Sequence, residues 1–308
     1  MCPEGVFEVS FPFIRFRATT GHVGIAFEDG SVRMLQVREH QGSLDVTGSA
    51  IVEMPHSVDD LSEAIRSAFV TGGFIGGRCV VAPPQSDVWT QVVHMPVMPD
   101  AELGEAASWE AADRLGVPRE RLQCDWMRLS ETSERAEVLI MAVDQEKMNS
   151  MLEAVLGAGL RPIAVEPDFT SLARLFCRRR RREVDAARTR AVLHVGYGQS
   201  MMMVLKGQSI VFCKQISTGG RCLDAAVADQ LDLTETAASE LRQARLADEN
   251  SLDPATHGAV ADSSRVVLAE LARESMRCLR HYAVAVRGER PENLLMGGSD
   301  AMEPGLGD

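Results

Sequence analysis

The stretch AVLHVGYGQSMMMVLKGQSIVF, residues 191–212, constrains the fold more than any other part of the chain. It reads as a strand, a glycine-rich turn, a second strand, a Lys206-Gly207 turn and a third strand. A turn of that shape at a strand end commonly holds a phosphate with backbone N–H groups. A hairpin also opens the first half. In HVGIAFEDGSVRMLQV (22–37), Val23, Ile25 and Phe27 alternate, Asp29-Gly30 signals the turn, and Val32, Met34 and Val37 follow. Strands and helices interleave after each hairpin, so the expected class is α/β, in two halves with a cleft between them.

SVDDLSEAIRSAFVTGG (57–73) predicts a helix capped by Ser57 and stopped at Gly72-Gly73. PDAELGEAASWEAADRL (99–115) predicts another, with acids in its first turn and Leu103, Ala106, Ala107 and Trp109 at helical spacing. CDWMRLS and AEVLIMAV (124–130, 136–143) read as paired strands, and residues 144–160 as a helix. After the strand RPIAVEP (161–167), a helix from Asp168 runs into five arginines, 178–182. These read as a solvated linker or as a contact for anionic lipid. The second half adds two helices, a polar loop over 248–262, a long helix over 263–287 and a last strand in ENLLMGGSDAMEPGLGD. Met201-Met202-Met203 read as strand core with one residue exposed, and Trp109 as packed between subdomains.

A formal charge of −12 argues against nucleic acid as a partner. The seven cysteines are scattered with no CxxC pair, so neither a zinc site nor a disulfide framework is expected. No apolar run approaches the ~18 residues of a membrane span. The N-terminus lacks the order of a signal peptide. A soluble, cytoplasmic protein is the expectation, meeting a membrane only through partners or a surface patch.

The opening hairpins, the helix-rich second half and the terminal LLMGG turn resemble the actin-like ATPase fold. Residues 80–129, 139–175 and 216–233 narrow this to a resemblance to the PilM family of type IV pilus assembly. That family is related to the cytoplasmic part of the type II secretion L protein and to FtsA. The MPVMPDAEL…WEA passage (95–111) carries it best, and it extends over residues 21–306. The resemblance implies subdomain 1A over 21–80 and 166–190, an inserted 1C over 81–165, and a second lobe over 191–308 after a 1–20 extension. It also implies a missing C-terminal helix and strand.

The resemblance places nucleotide-contacting positions at Gly30 and Ser31, at Gly196, Gly198, Gln199 and Ser200, and at Gly219 and Gly220. It adds Arg242, and Gly297, Gly298 and Ser299 at the adenosine turn. Two acidic positions of the family are here Ala26 and His194. Magnesium is held by carboxylates, directly or through water, and phosphoryl transfer depends on that charge neutralisation. Ala26 offers no ligand, and imidazole is a poor partner for a hard hydrated ion. Glu28 stands where the loop has a glycine. At about 4 Å and a dielectric near 20, its charge, if unscreened, would repel a phosphate by roughly 4 kcal/mol, or about a thousandfold in affinity. Asp29 is three residues from Ala26, an odd offset that turns it to the other face.

The expectation is therefore an adaptor with a degenerate nucleotide site, ATP and Mg²⁺ weakly held or absent, and no metal or catalytic residue. The resemblance supplies as partners the cytoplasmic tail of a PilN-like single-span protein, further copies of the chain and an assembly motor ATPase. Met95, Val97, Leu103 and Trp109 are the expected tail contacts. The rival readings are an active ATPase driving pilus assembly and an FtsA-like division tether.

Overall fold

Val23, Ile25 and Phe27 point to one side of strand β1 (Val23–Glu28), and all three are buried. The computed structural model describes residues 21–28, 30–40, 43–55, 57–178, 188–248, 251–286 and 289–307. Asp29 and arginines 179–182 lie outside the described residues, as does the Arg178 side chain. Strand β2 (Ser31–His40) returns antiparallel to β1 and turns Val32 and Met34 into the same core. The expected hairpin is in fact three strands, because β3 (Ser43–Glu53) pairs with β2 along its length. Its outward residues Leu44, Val46 and Ile51 are apolar and exposed, and its register shifts opposite Gln36 and Val37. Both features erase the period-2 signal.

The full sheet has the order β3-β2-β1-β4-β8, with β4 (Arg78–Ala82) and β8 (Arg161–Val165) joining in parallel. Helices α1 (Val58–Thr71) and α3 (Gln145–Gly157) share its core through Leu61, Ile65, Met151 and Val155. Ser57 caps α1 by accepting the Asp60 N–H at 3.1 Å, as its sequence predicts. Gln36, 1% exposed at the β2 irregularity, uses its whole amide. Its Nε2 donates to the carbonyls of Gly21 (2.9 Å) and Ile75 (2.8 Å), and its Oε1 accepts the Ile75 N–H at 2.9 Å.

A second sheet contains β5 (Trp89–Pro96), β6 (Leu122–Glu131) and β7 (Arg135–Asp144) in the order β5-β7-β6. Every residue of β7 from Val138 to Val143 is buried, as fits a central strand covered on both faces. Helix α2 (Asp100–Leu115) buries Leu103, Ala107 and Ala111 and ends at Gly116 in the left-handed region (φ 66). β6 is an outer strand of this sheet among the described residues. Its Asp125 accepts the Trp126 N–H on Oδ1 at 2.7 Å, while the buried Oδ2 has no hydrogen-bond partner. Burial pushes the Asp125 carboxyl up to about 7.

The third sheet is the meander forecast at 191–212. Strands β9 (Thr189–Val195), β10 (Ser200–Lys206) and β11 (Ser209–Ile216) run antiparallel, and β12 (Leu294–Gly297) lies parallel beside β9. All of Met201, Met202 and Met203 are buried, which corrects the expectation of one exposed residue. Both faces of β10 are covered, so alternation has nothing to separate. Helices α4 (Asp168–Arg178), α5 (Gly220–Leu231), α6 (Glu235–Ala247) and α7 (Pro254–His281) complete this part. α7 begins at Pro254, inside the stretch expected to be a loop, because Asp253 caps it by accepting the Ala255 and Thr256 N–H groups. Asp followed by Pro at the first helical position was the overlooked signal.

The chain divides into two compact units. One holds the described residues up to Met127 and Ile140–Thr170; the other holds Arg128–Leu139 and the described residues from Ser171 onward. Among the described residues no helix is long and apolar enough to cross a membrane.

Two outcomes follow from these buried polar groups. Gln36→Leu should destabilise the chain by about 2–3 kcal/mol in urea unfolding, because it strands the Ile75 N–H and two carbonyls; a change below about 0.5 kcal/mol contradicts the bonding described. Asp125 has a raised folded pKa, so the native state binds more protons than the unfolded chain between about pH 4 and 7. The contribution of Asp125 to stability falls across that window as the buried carboxyl ionises. Asp125→Asn should flatten the fall and gain on the order of a few kcal/mol at pH 8, with little gain at pH 4.

Candidate functional site

The glycine turn between β9 and β10 sits against the start of α5. Gly196 N–H donates to the Gln199 carbonyl at 3.1 Å, closing the turn. The first amides of α5 then bond back to it: Gly220 N–H to the Gly196 carbonyl at 3.0 Å and Arg221 N–H to the Tyr197 carbonyl at 2.8 Å. A side chain at Gly219 would meet both of those carbonyl oxygens at 2.6 Å, so only glycine fits. Ser200 Oγ donates to the Thr218 carbonyl at 2.6 Å, and Gln199 pairs with Gln215. Two amides at a helix N-terminus that could face an anion are thus already used by the chain.

The turn after β12 joins the same cluster. Gly297 lies opposite His194 in the parallel ladder, and Gly298 takes φ 114 as the Asp300 N–H reaches the Val195 carbonyl at 3.1 Å. Ser299 Oγ donates to Asp300 Oδ2 at 2.8 Å. The structure therefore brings together His194, the 196–200 turn, Gly219, Gly220 and the 297–299 turn, all in one unit. His194 is 4% exposed within β9.

Arg242 on α6 reaches this cluster from below and is itself buried. Its guanidinium donates to Asp224 Oδ1 (2.5 Å), the Gly220 carbonyl (3.0 Å), Asp300 Oδ1 (2.9 Å) and Glu303 Oε2 (3.0 Å). Arg245 adds a second cation, 3.3 Å from the other oxygen of Glu303. Burial disfavours the Arg242 charge, but Glu303, Asp224 and Asp300 outweigh it and hold the guanidinium pKa above its ordinary value. The Tyr197 hydroxyl is also raised, by burial and then by the Asp224 charge. Sequence reasoning placed Arg242 beside an adenosine. It missed Asp224, Asp300, Glu303 and Arg245, which no local spacing connects.

The β1–β2 turn, where the resemblance places the first phosphate loop, lies in the other unit. Ala26 pairs with Arg33 across the β1–β2 ladder, and Gly30 takes φ 96 before Ser31. Glu28 carries its own counter-charge: Arg33 Nε lies 2.7 Å from its carboxylate. The unscreened repulsion expected at Glu28 is therefore an overestimate. Ala26 supplies no oxygen and His194 no carboxylate, so neither residue fits a magnesium ion. Among the described residues no group of three or more His, Cys, Asp or Glu side chains is placed to hold a metal.

The four expected tail contacts separate cleanly. Met95 and Leu103 are core residues, 8% and 0% exposed, and cannot touch a partner without unpacking β5 and α2. Val97 and Trp109 are exposed. Trp109 is not packed between subdomains: its indole lies open, with the Arg119 guanidinium 5.5 Å from the ring centroid.

Removing the Arg242 cation leaves three buried or nearly buried carboxylates around a void. Arg242→Met should cost about 3–5 kcal/mol in denaturant unfolding. Arg242→Lys should recover part of it, since one ammonium cannot reproduce the guanidinium fork; equal stability of all three proteins would remove the cluster from the account of the fold.

The family described as type IV pilus assembly protein PilM matches residues 24–307. No curated protein matches the chain. Among solved structures, a PilM–PilN type IV pilus biogenesis complex is similar at a TM-score of 0.72 and 22% identity, covering 92% of this chain and 83% of that one. The ethanolamine utilization protein EutJ from Carboxydothermus hydrogenoformans is similar at a TM-score of 0.53 and 11% identity, covering 94% and 80%. The fold is actin-like. With a family match that runs from β1 through the last described turn, the chain belongs to the type IV pilus assembly protein PilM family.

Proposed function

We propose that this chain is an adaptor at the cytoplasmic side of a pilus-assembly or type II secretion platform, holding the tail of a PilN-like membrane protein and turning over no ATP. One observation carries the second half of the reading. The family resemblance places a phosphate frame at the glycine turns, and the side chains at its two acidic positions are Ala26 and His194. A frame without carboxylates has no means of anchoring the ion that neutralises a triphosphate. The occupied α5 amides and the internally paired Arg242 support the same conclusion. The structural likeness to a PilM–PilN complex supports the partner. Val97 and Trp109 are the side chains left open to meet a tail, and aromatic anchors of that kind dominate binding energy in many interfaces.

Titration of the purified chain with ATP and Mg²⁺ in a calorimeter, alongside phosphate-release kinetics, tests the reading. No turnover above buffer is expected, and any ATP affinity should be unchanged by adding Mg²⁺. Mg²⁺-dependent hydrolysis lost in His194→Ala would falsify the adaptor reading. Trp109→Ala should weaken binding of a PilN-like tail peptide by tenfold or more.

A further inference from the structure

A groove beside α7 takes no part in the glycine turns. It encloses about 630 Å³, within the size range of small-molecule sites, and shares no residue with the positions at which the resemblance places a nucleotide. α7 supplies most of its lining, including Leu268, Ala272, Met276 and Leu279. β12 and the turn at residues 304–306 supply much of the rest, all within one unit. Met276 and Leu294 are exposed, so the groove opens to solvent. Apolar lining alone names no occupant; two polar side chains in this groove do.

Arg245 on α6 and Ser275 on α7 both line it, and each is only 5% exposed. Arg245 Nη1 donates to Glu303 Oε1 at 3.3 Å, while its buried Nε has no hydrogen-bond partner. Ser275 Oγ is likewise buried without one. Two unmet donors in an apolar wall call for an acceptor, and an ionised acceptor forms the stronger bonds. Glu303 is shared, because its other oxygen is held by Arg242. The charged residues lining the groove are Arg245 and Arg265, and no carboxylate lines it. Arg265 is exposed and keeps Asp262 as its own partner at 3.1 Å, so the buried cation is a single one. That favours a head group of one negative charge over a phosphate, which carries more.

We propose that this groove binds a free long-chain carboxylate. Its hydrocarbon tail lies along the apolar residues of α7 and β12, and its head group takes the Arg245 and Ser275 donors. Carboxylate oxygens accept hydrogen bonds only, which matches a pair of donors. The site depends neither on nucleotide binding nor on a tail peptide.

The experiment titrates the full chain with dodecanoate, below its micelle threshold, in a calorimeter. Dodecanol and dodecylammonium serve as the neutral and cationic counterparts. One dodecanoate should bind per chain, at least tenfold tighter than dodecanol, and dodecylammonium should not bind. Amide exchange should slow at residues 268–279 and 304–306. Ser275→Ala strands no partner, so the protein should fold and bind dodecanoate threefold or more weakly. Ala272→Trp, at an exposed position on α7, should fill the groove and cost tenfold or more. The proposal is overturned by absent binding, by equal affinity for dodecylammonium, by either variant binding as wild type does, or by protection on another face. A dimer that Ala272→Trp dissociates, in a protein that takes up no dodecanoate, would assign the groove to a second copy and equally overturn it.

Discussion

One buried guanidinium organises the second unit. Arg242 ties the start of α5, the middle of α6 and the turn that follows β12 into a single knot. Its bonds reach residues 18 to 61 positions away in sequence, so they form only when the whole unit is assembled. Burying so many charges together brings a large desolvation penalty, offset only because nearly every donor of the fork finds an acceptor. Such a cluster favours one arrangement of these three elements over other compact ones, which a purely apolar contact would do less strictly.

The same knot holds the glycine turn and the start of α5 in place. The glycines at 219 and 298 are required by close approach to carbonyls of the chain itself. The amides of Gly220 and Arg221 are held by the turn they would otherwise help to open. Architecture of this kind is stable on its own terms. With these groups satisfied by internal bonds, the turn and the start of α5 hold their geometry through the chain itself.

Much of this was legible in the sequence where one side of an element faces water. The β1–β2 hairpin, α1 with its Ser57 cap and the 191–212 meander follow from periodicity and turn chemistry. The readings that failed did so for definite reasons. β3 shows apolar residues to both sides and shifts register, so alternation is absent. α7 starts on an Asp-Pro cap hidden in a polar stretch. Leu103 and Trp109 read as one apolar pattern, yet six residues put them about 120° apart on a helix, and α2 buries the first and exposes the second. The Arg242 cluster was out of reach because its acids sit on separate elements, and only the folded chain shows that an arginine expected beside a ligand is answering carboxylates of its own.

β3 has one more consequence. It is eleven residues long, lies at the margin of its sheet among the described residues and turns Leu44, Val46 and Ile51 to water. In a concentrated solution that margin can template a neighbouring molecule, and the charges of Asp45 and Glu53 are the local deterrent. Neutralising those two carboxylates would leave that apolar margin without its local charge and favour edge-to-edge pairing.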